Sequence, residues 1–212
     1  MLAGLAGDGR ALELGLGTGR IALPLAGRGV EVHGIDISPA MVEQLREKPG
    51  GDAIRAVVGD MADVAVEGPF RVVYAALSSL LCLTTQEEQL RCLANAARVL
   101  EPGGVVVVEA LVPDLTQFRG DGTLFPARVE KDWIGLEAIK LDRLAQTWSI
   151  QEVVISEAGI RLYPVVIRYV WPTELDLMAR LAGLRLRERW EDWSGRPFTA
   201  ASRWHVSVFE QA

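Results

Sequence analysis

Short apolar runs alternate with amphipathic stretches along the first half of the chain. The apolar runs predict β-strands, and the amphipathic stretches predict helices between them. Strands that alternate with helices indicate βαβ units, and right-handed crossovers of such units build a doubly wound parallel sheet. The predicted strands span 10–14, 30–37, 53–58, 70–76 and 105–110, and the predicted helices span 20–28, 39–48 and 86–100.

Residues at the helix ends support these elements. Ser38 followed by Pro39 is typical of a helix start, because serine caps free N–H groups and proline is tolerated at the first helical position. Thr84 or Thr85 is expected to cap the helix over 86–100. Pro24 should bend the helix over 20–28 or lie in its first turn, since proline lacks a backbone N–H.

The pattern changes after residue 109, where long β-rich runs replace the alternation. Runs over 134–141, 147–156 and 160–170, with a hairpin signal at Glu157-Ala158-Gly159, predict an antiparallel insertion of three or four strands. We name this insertion, residues 111–171, the lid. A helix over 172–182 and strands over 184–190 and 204–209 follow. The sequence thus predicts a single domain over 1–212 with the lid inside it.

Composition and charge argue against several classes of function. Half of the 212 residues are hydrophobic, the net charge is -6, and no run of five or more Lys and Arg residues occurs. Nucleic acid is therefore a poor candidate partner. No apolar run reaches the roughly 18 residues of a membrane-spanning helix, and no signal peptide precedes the first strand. We expect a cytoplasmic protein with neither a membrane nor a nucleic-acid partner.

The chain holds two cysteines, Cys82 and Cys92. They form no CxxC pair and no His cluster accompanies them, so we expect no metal site. Two thiols fit a reducing cytoplasm, and both are expected to be small core residues.

A glycine-rich segment, 13–19 with the sequence ELGLGTG, connects the first predicted strand to the first predicted helix. Glycine permits a tight turn and close approach of a ligand, and the following helix start offers free N–H groups. A dinucleotide-binding loop would carry glycine where this chain has Arg20, which argues against an NAD-dependent oxidoreductase. Alone, the segment indicates a nucleotide-type ligand or a structural turn.

Two aspartates end the next two strands of the predicted sheet. Asp36 lies roughly 20 residues beyond the glycine segment, where a carboxylate can accept both hydroxyls of a ribose. Asp60 can accept an adenine amino group while the Met61 N–H donates to a ring nitrogen, and Ile37 would lie along the adenine face. Each aspartate also has a plainer alternative, a helix cap for Asp36 and a turn residue after glycine for Asp60.

With these motifs the sequence resembles the class I S-adenosylmethionine-dependent methyltransferases. The resemblance covers about residues 10–110 and depends on Glu13-x-Gly15-x-Gly17-x-Gly19, Gly34-Ile35-Asp36-Ile37-Ser38, Gly59-Asp60-Met61 and Leu100-x-Pro102-Gly103-Gly104. It implies an α/β, Rossmann-like doubly wound sheet that is mostly parallel with an antiparallel last strand. The lid and residues 77–79 and 84–85 are similar, more loosely, to the amino-sugar N-methyltransferases of antibiotic pathways.

The resemblance implies S-adenosylmethionine as cofactor, S-adenosylhomocysteine as its product, and methyl transfer to a nitrogen or oxygen of a small metabolite. In that family the carboxylate after the second strand holds the ribose, the Gly-Asp-Met step holds adenine, and the loop holds the methionine part. Arg20 can reach the cofactor carboxylate or pair with Glu13. The implied cofactor-binding residues are Glu13, Gly15, Gly17, Gly19, Arg20, Asp36, Ile37, Asp60, Met61, Ala76 and Leu77.

Methyl transfer does not compel a base in the protein, because an amine that is already neutral can attack directly. Glu109, at the end of the fifth strand, is the candidate for orienting a substrate amine or acting as base. The alternative role for Glu109 is a hydrogen bond that anchors the lid. His33 and His205 lie within predicted strands and are expected to be structural.

The sequence also bears on other methyl acceptors and on functions other than catalysis. Residues 75–78, Ala-Ala-Leu-Ser, lack the Asn/Asp-Pro-Pro-aromatic step of the nucleobase-amino methyltransferases. A non-catalytic S-adenosylmethionine-binding protein or partner subunit stays open, since only about nine residues precede the first strand, where the family usually has capping helices. The lid ends with Arg168, Tyr169 and Trp171, which either line the pocket or pack. Its edge strands can serve a homodimer.

Overall fold

In the computed structural model, which describes residues 1–63 and 66–212, five α-helices and eleven β-strands follow one another along the chain. The helices are α1 (Leu2–Ala6), α2 (Ala22–Ala26), α3 (Pro39–Arg46), α4 (Gln86–Arg98) and α5 (Pro172–Leu181). The strands are β1 (Ala11–Leu14), β2 (Val32–Asp36), β3 (Arg55–Val58), β4 (Phe70–Ala75), β5 (Leu100–Leu111), β6 (Gly122–Val129), β7 (Trp133–Asp142), β8 (Thr147–Ser156), β9 (Gly159–Arg168), β10 (Leu184–Trp190) and β11 (Trp204–Gln211). Short 3-10 turns span Gly51–Ala53 and Ser79–Cys82.

Seven strands form the main sheet in the order β10-β11-β5-β4-β1-β2-β3, and β6-β7-β8-β9 form the sheet of the lid. Strands β1 to β5 pair in parallel, whereas β11 runs antiparallel to both β5 and β10. The chain changes its direction of travel across the sheet between β1 and β4, where open α/β sheets bind ligands beyond the carboxyl ends of their strands. This topology confirms the predicted fold class, including the antiparallel last strand and the antiparallel insertion after β5.

Alternate residues of the central strands enter two separate cores. Val106 and Val108 of β5 pack in the core that contains α4 and α5, while Val105 and Val107 pack in the core that contains α1 and α2. Burial on both faces explains why these strands read as nearly continuous apolar runs instead of alternating ones. The covered faces leave the carboxyl ends of the strands as the place for a site.

The helix ends follow the sequence signals, and the first predicted helix is shorter than expected. The Ser38 hydroxyl accepts the Met41 N–H at 3.4 Å, and Thr85 forms a capping box with Glu88. Helix α2 spans Ala22–Ala26 instead of 20–28. Pro24 is therefore its third residue, in the first turn, where the missing N–H costs no intrahelical bond.

The lid has four strands, and its inner end shares a core with the main sheet. Ile139, Leu141, Trp148 and Ile167 are buried in the same cluster as α4 and α5. The first lid strand, β6, begins at Gly122, before the β-rich pattern became visible in the sequence. Most β6 residues are exposed or half-buried, and the register shifts beside Pro126, so that the strand lacks a regular apolar alternation.

Candidate active site

A cavity of about 460 Å³ opens at the carboxyl ends of β1, β2 and β3. Six of the predicted cofactor-binding residues line this cavity, which we name the cofactor cavity: Gly15, Gly17, Asp36, Ile37, Asp60 and Met61. Residues from three separate strand ends therefore meet around one space. Its volume falls within the range of about 300–1,000 Å³ that is typical of small-molecule sites.

Gly17 and Gly19 serve different purposes in the glycine loop. Gly17 has a φ of +53°, and a Cβ atom there would meet nothing within 4 Å, so its open side faces the cofactor cavity. Gly19 has a φ of +77°, and a Cβ atom there would collide with the side chain of Leu45. Gly19 is thus required for packing on α3 and does not line the cavity, whereas Gly17 keeps space for a ligand beside the backbone.

Asp36 connects the glycine loop to the start of α3. Its Oδ2 accepts the Gly17 N–H at 2.6 Å, and its Oδ1 accepts the Ser38 N–H at 2.8 Å. The plainer alternative of a local cap is therefore present together with a place on the cavity wall. A carboxylate has about four lone-pair sites, so these two bonds leave acceptor capacity for the hydroxyls of a ligand.

Asp60 and Ile37 stand on the same wall as Asp36. The Oδ1 of Asp60 accepts the Ala62 N–H at 2.7 Å, which is the turn role considered from the sequence. The side chain of Ile37 is 73% exposed although it is large and apolar, and it lines the cavity. An apolar side chain next to carboxylate acceptors suits a flat heteroaromatic base with an amino group.

Glu13 lies beneath the glycine loop and not on the cavity wall. Its carboxyl group is buried and accepts the Tyr74 hydroxyl at 3.0 Å. Burial raises the pKa of Glu13 to about 8, against the opposing effect of the bonds from Tyr74 and the Ala22 backbone. The alternative in which Arg20 pairs with Glu13 is wrong, because Glu13 is enclosed with Tyr74 while Arg20 is exposed. Glu13 thus supports the loop from the interior.

The chain after β4 turns sharply through two residues with left-handed backbone. Leu77 and Ser78 have φ values of +52° and +61°, a conformation that is uncommon outside glycine. Ala76 is buried, whereas Leu77 is 51% exposed, and the Leu77 N–H donates to Glu109 Oε2 at 2.6 Å. The bond of Glu109 therefore goes to the segment after β4, and the alternative in which Glu109 anchors the lid is wrong.

A second cavity of about 420 Å³, which we name the acidic cavity, adjoins this turn. Its lining residues are Leu77, Glu109, Glu191, Asp192, Arg196 and Trp204. Arg196 forms ion pairs with Glu191 and with Asp192, at 3.5 Å and 2.6 Å. In the part of the chain that the structure describes, Glu109 has no ion-pair partner. Its carboxylate is thus free to attract a cationic group.

Sequence reasoning missed several residues of the cofactor cavity. Ser79 and Cys82 line it from the 3-10 turn after β4, Leu83 and Thr84 line it from the residues just after that turn, and Glu88 lines it from the first turn of α4. The looser resemblance at 77–79 and 84–85 assigns these residues no role in cofactor binding. Cys82 is exposed on the wall, so its predicted place in the core is wrong, while Cys92 is buried as expected.

The remaining candidates are structural. Tyr169 and Arg168 are buried and absent from both cavities, so they pack at the base of the lid. His33 contacts Glu31 Oε1 at 2.9 Å, and His205 is fully buried with its Nδ1 2.8 Å from the Ser207 hydroxyl. Burial lowers the pKa of His205 to about 3, which keeps the ring neutral. Both histidines are thus structural, as predicted.

The residues that the structure describes contain no group of three or more His, Cys, Asp or Glu side chains arranged to hold a metal ion. No helix within 1–63 and 66–212 has the length and apolar character needed to cross a membrane. The candidate site consists of the cofactor cavity, the acidic cavity and the turn at Leu77 and Ser78.

Comparisons with known proteins relate this chain to methyltransferases. The family described as "Methyltransferase domain" matches residues 11–104. The chain is 30% identical over 208 residues to the cypemycin N-terminal methyltransferase of a Streptomyces species, covering 96% of this chain and 84% of that protein. Its structure is similar to that of the CcbJ methyltransferase from Streptomyces caelestis, with a TM-score of 0.95 and 46% identity over 100% of this chain and 86% of the other. Streptomyces venezuelae DesVI is similar with a TM-score of 0.73 and 25% identity, over 99% and 87% of the two chains.

Proposed function

Because the chain belongs to the class I S-adenosylmethionine-dependent methyltransferases, we propose that it methylates an amine nitrogen of a small metabolite. The observation that carries the choice of nitrogen is the unpaired carboxylate of Glu109 in the acidic cavity. A carboxylate there attracts a protonated amine and can later accept its proton, whereas it offers less to a neutral alcohol. The similar cypemycin enzyme is also named as a methyltransferase of an N terminus.

The cofactor cavity fits S-adenosylmethionine by its chemistry. We propose that Asp36 accepts the ribose hydroxyls, that Asp60 accepts the adenine amino group, and that Ile37 and Met61 flank the base. The loop around Gly17 holds the amino-acid part, with Glu13 and Gly19 supporting the loop and Arg20 reaching the cofactor carboxylate. Ala76 and Leu77, which follow β4, would lie beside the sulfonium group. When bound, the cofactor supplies an electrophilic methyl group on a positively charged sulfur and leaves as S-adenosylhomocysteine.

The protein's own part in the reaction is alignment and proton transfer. The acidic cavity holds the acceptor next to Leu77, so that the lone pair of the nitrogen can form the new N–C bond. A protonated amine has no lone pair, so Glu109 is placed to accept one of its protons before the transfer, and the neutral amine that results can attack. The methylated nitrogen then carries the positive charge that the sulfonium would lose. The Leu77 N–H holds Glu109 in position through the 2.6 Å hydrogen bond.

We expect S-adenosylhomocysteine to form only when an amine is supplied. Purified protein with S-adenosylmethionine should be tested against a panel of primary and secondary amines and, as matched controls, the alcohols of the same carbon skeletons. Mass spectrometry of the products locates the methyl group. Turnover of alcohols without turnover of amines would contradict the choice of nitrogen. The comparisons give no support to the alternative of a non-catalytic binding protein.

We further propose that a second copy of this chain covers the lid. Val129, Ile134, Ile155 and Ile160 stand directly opposite one another across all four lid strands, with exposed fractions between 38% and 69%. Leu162, on the same face of β9, is 59% exposed. Monomers rarely leave so continuous an apolar face open, and a two-fold axis would pack two such faces together.

Ile155→Glu should convert this dimer into a monomer, because it places a charge at the centre of the apolar row. Light scattering after size-exclusion chromatography measures the change in mass. Leu144→Glu is the matched control, since Leu144 is 97% exposed in the turn between β7 and β8. A wild-type protein that elutes as a monomer at all concentrations would contradict the proposal.

We also propose that residues 1–212 form a single domain and that the protein works in a reducing cytoplasm. The inner ends of the lid strands share one core with α4 and α5, which supports one folding unit over 1–212. Cys82 and Cys92 are both free thiols, which supports a reducing compartment.

A further inference from the structure

A buried polar network joins the base of the lid to α4 and α5. Arg168, the last residue of β9, is 5% exposed and donates from Nη2 to Glu174 Oε1 at 2.7 Å and to Gln146 Oε1 at 3.1 Å. Its Nη1 donates to Gln89 Oε1 at 2.7 Å. Gln89 lies on α4 and is fully buried. The guanidinium group thus connects four separate parts of the chain.

Gln89 extends this network to the wall of the cofactor cavity. Its Nε2 donates to the carbonyl oxygens of Leu83 and Arg168, both at 3.0 Å, and more weakly to that of Leu80 at 3.5 Å. Leu83 lines the cofactor cavity together with Cys82 and Thr84. The amide of Gln89 therefore holds, at one end, the segment against which the cofactor is proposed to bind.

The orientation of the Gln89 amide depends on Arg168. A guanidinium group only donates and a carbonyl oxygen only accepts, so Oε1 must face Arg168 and Nε2 must face the carbonyls. Without Arg168, the amide loses the partner that keeps Oε1 on that side. The buried Leu83 carbonyl would then lack a fixed hydrogen-bond donor. The backbone segment around Leu83 would therefore lose its fixed position.

We propose that Arg168 is a positioning residue for the cofactor, which acts through Gln89 on the Leu83–Thr84 wall and so couples the attachment of the lid to cofactor binding. This inference depends on the proposed cofactor cavity. Arg168 touches neither cavity itself, since it is absent from the lining of both. A change in the network can reach the cofactor cavity through the Leu83 backbone that Gln89 holds.

Gln89→Met tests the coupling with little change in side-chain volume. We expect the Kd of S-adenosylmethionine, measured by calorimetry, to rise about tenfold, within the range of known couplings between connected sites. Leu93→Ala is the control, because it truncates a buried α4 side chain that belongs to the apolar core and not to the network. Its Kd should stay within about twofold of wild type at a temperature where both variants are folded.

Hydrogen exchange separates positioning from a loss of stability. The amides of Leu81 and Leu83 donate to Ser78 and Leu80 within the wall segment, and they should exchange faster in Gln89→Met but not in Leu93→Ala. Arg168→Lys keeps a charge for Glu174 with a single donor group and should give an intermediate Kd. Equal shifts of Kd in Gln89→Met and Leu93→Ala, or no shift in either, would overturn the proposal. Failure of the wild-type protein to bind S-adenosylmethionine would instead refute the cofactor cavity.

Discussion

Asp36→Ala should raise the Kd of S-adenosylmethionine by at least about 100-fold. The carboxylate is proposed to accept two ribose hydroxyls, and a hydrogen bond to a charged group contributes about 1.5–3 kcal/mol. Two such bonds amount to at least about 3 kcal/mol, and about 1.4 kcal/mol corresponds to a tenfold change in affinity. Alanine also removes the 2.6 Å bond that holds the Gly17 N–H, so the loop loses one of its links to β2. Isothermal calorimetry measures the effect directly.

Two further variants show whether the carboxylate itself is responsible. Asp36→Asn retains one side-chain oxygen for the backbone but loses the charge, so its Kd should rise by about tenfold. Asp52→Ala makes the same change as Asp36→Ala at an exposed aspartate in the Gly51–Ala53 turn and should leave the Kd unchanged. An unchanged Kd for Asp36→Ala, in protein with wild-type melting temperature, would refute the assignment of the cofactor cavity.

The main sheet could be predicted from the sequence because the residues that signal its strands and helices lie within or beside those elements. Strands β1, β2 and β3 end at or next to a glycine or an acidic residue, and helices α3 and α4 have side-chain caps at their starts. Asp36 and Asp60 could be brought together without coordinates, since parallel strands end at one edge of a sheet. The wall of the cofactor cavity that the strand ends form could therefore be predicted from residues and topology.

The acidic cavity, where the acceptor is proposed to bind, could not be predicted in the same way, because it is assembled from distant segments. Glu109 and Trp204 meet through the antiparallel pairing of β5 with β11, and Asp192 reaches them from the loop after β10. No spacing in the sequence encodes that meeting. The same holds for Arg168 and Gln89, which are 79 residues apart and contact through the packing of the lid on α4.

The ion pair between Glu13 and Arg20 does not form, because one side chain is buried and the other is exposed although they lie close in sequence. Glu13 and Arg20 match each other by charge, yet β1 is buried on both faces, so Glu13 lies in the interior. There it meets Tyr74, 61 residues away, and burial favours its neutral form. Burial of the whole strand therefore decides the partner of Glu13 before charge does.

Glu109→Gln should lower the turnover of the best amine acceptor by about 100-fold while the Kd of S-adenosylmethionine changes by less than about twofold. Glutamine keeps an oxygen that can accept the Leu77 N–H, so the turn after β4 retains its support. What is lost is the charge that attracts an ammonium group and the site that accepts its proton, and general-base groups contribute about 100-fold or more. Single-turnover kinetics at saturating cofactor isolates this step.

Glu101→Gln is the matched control for this change, because Glu101 lies on the same strand near its other end and pairs with Arg71. Its turnover should equal that of the wild-type protein. If Glu109→Gln kept full turnover with amines, the carboxylate would be neither an attractor nor a base, and the acidic cavity would be the wrong place for the acceptor. If turnover fell together with cofactor affinity, Glu109 would act by holding Leu77 in place, and the nitrogen preference would need another source.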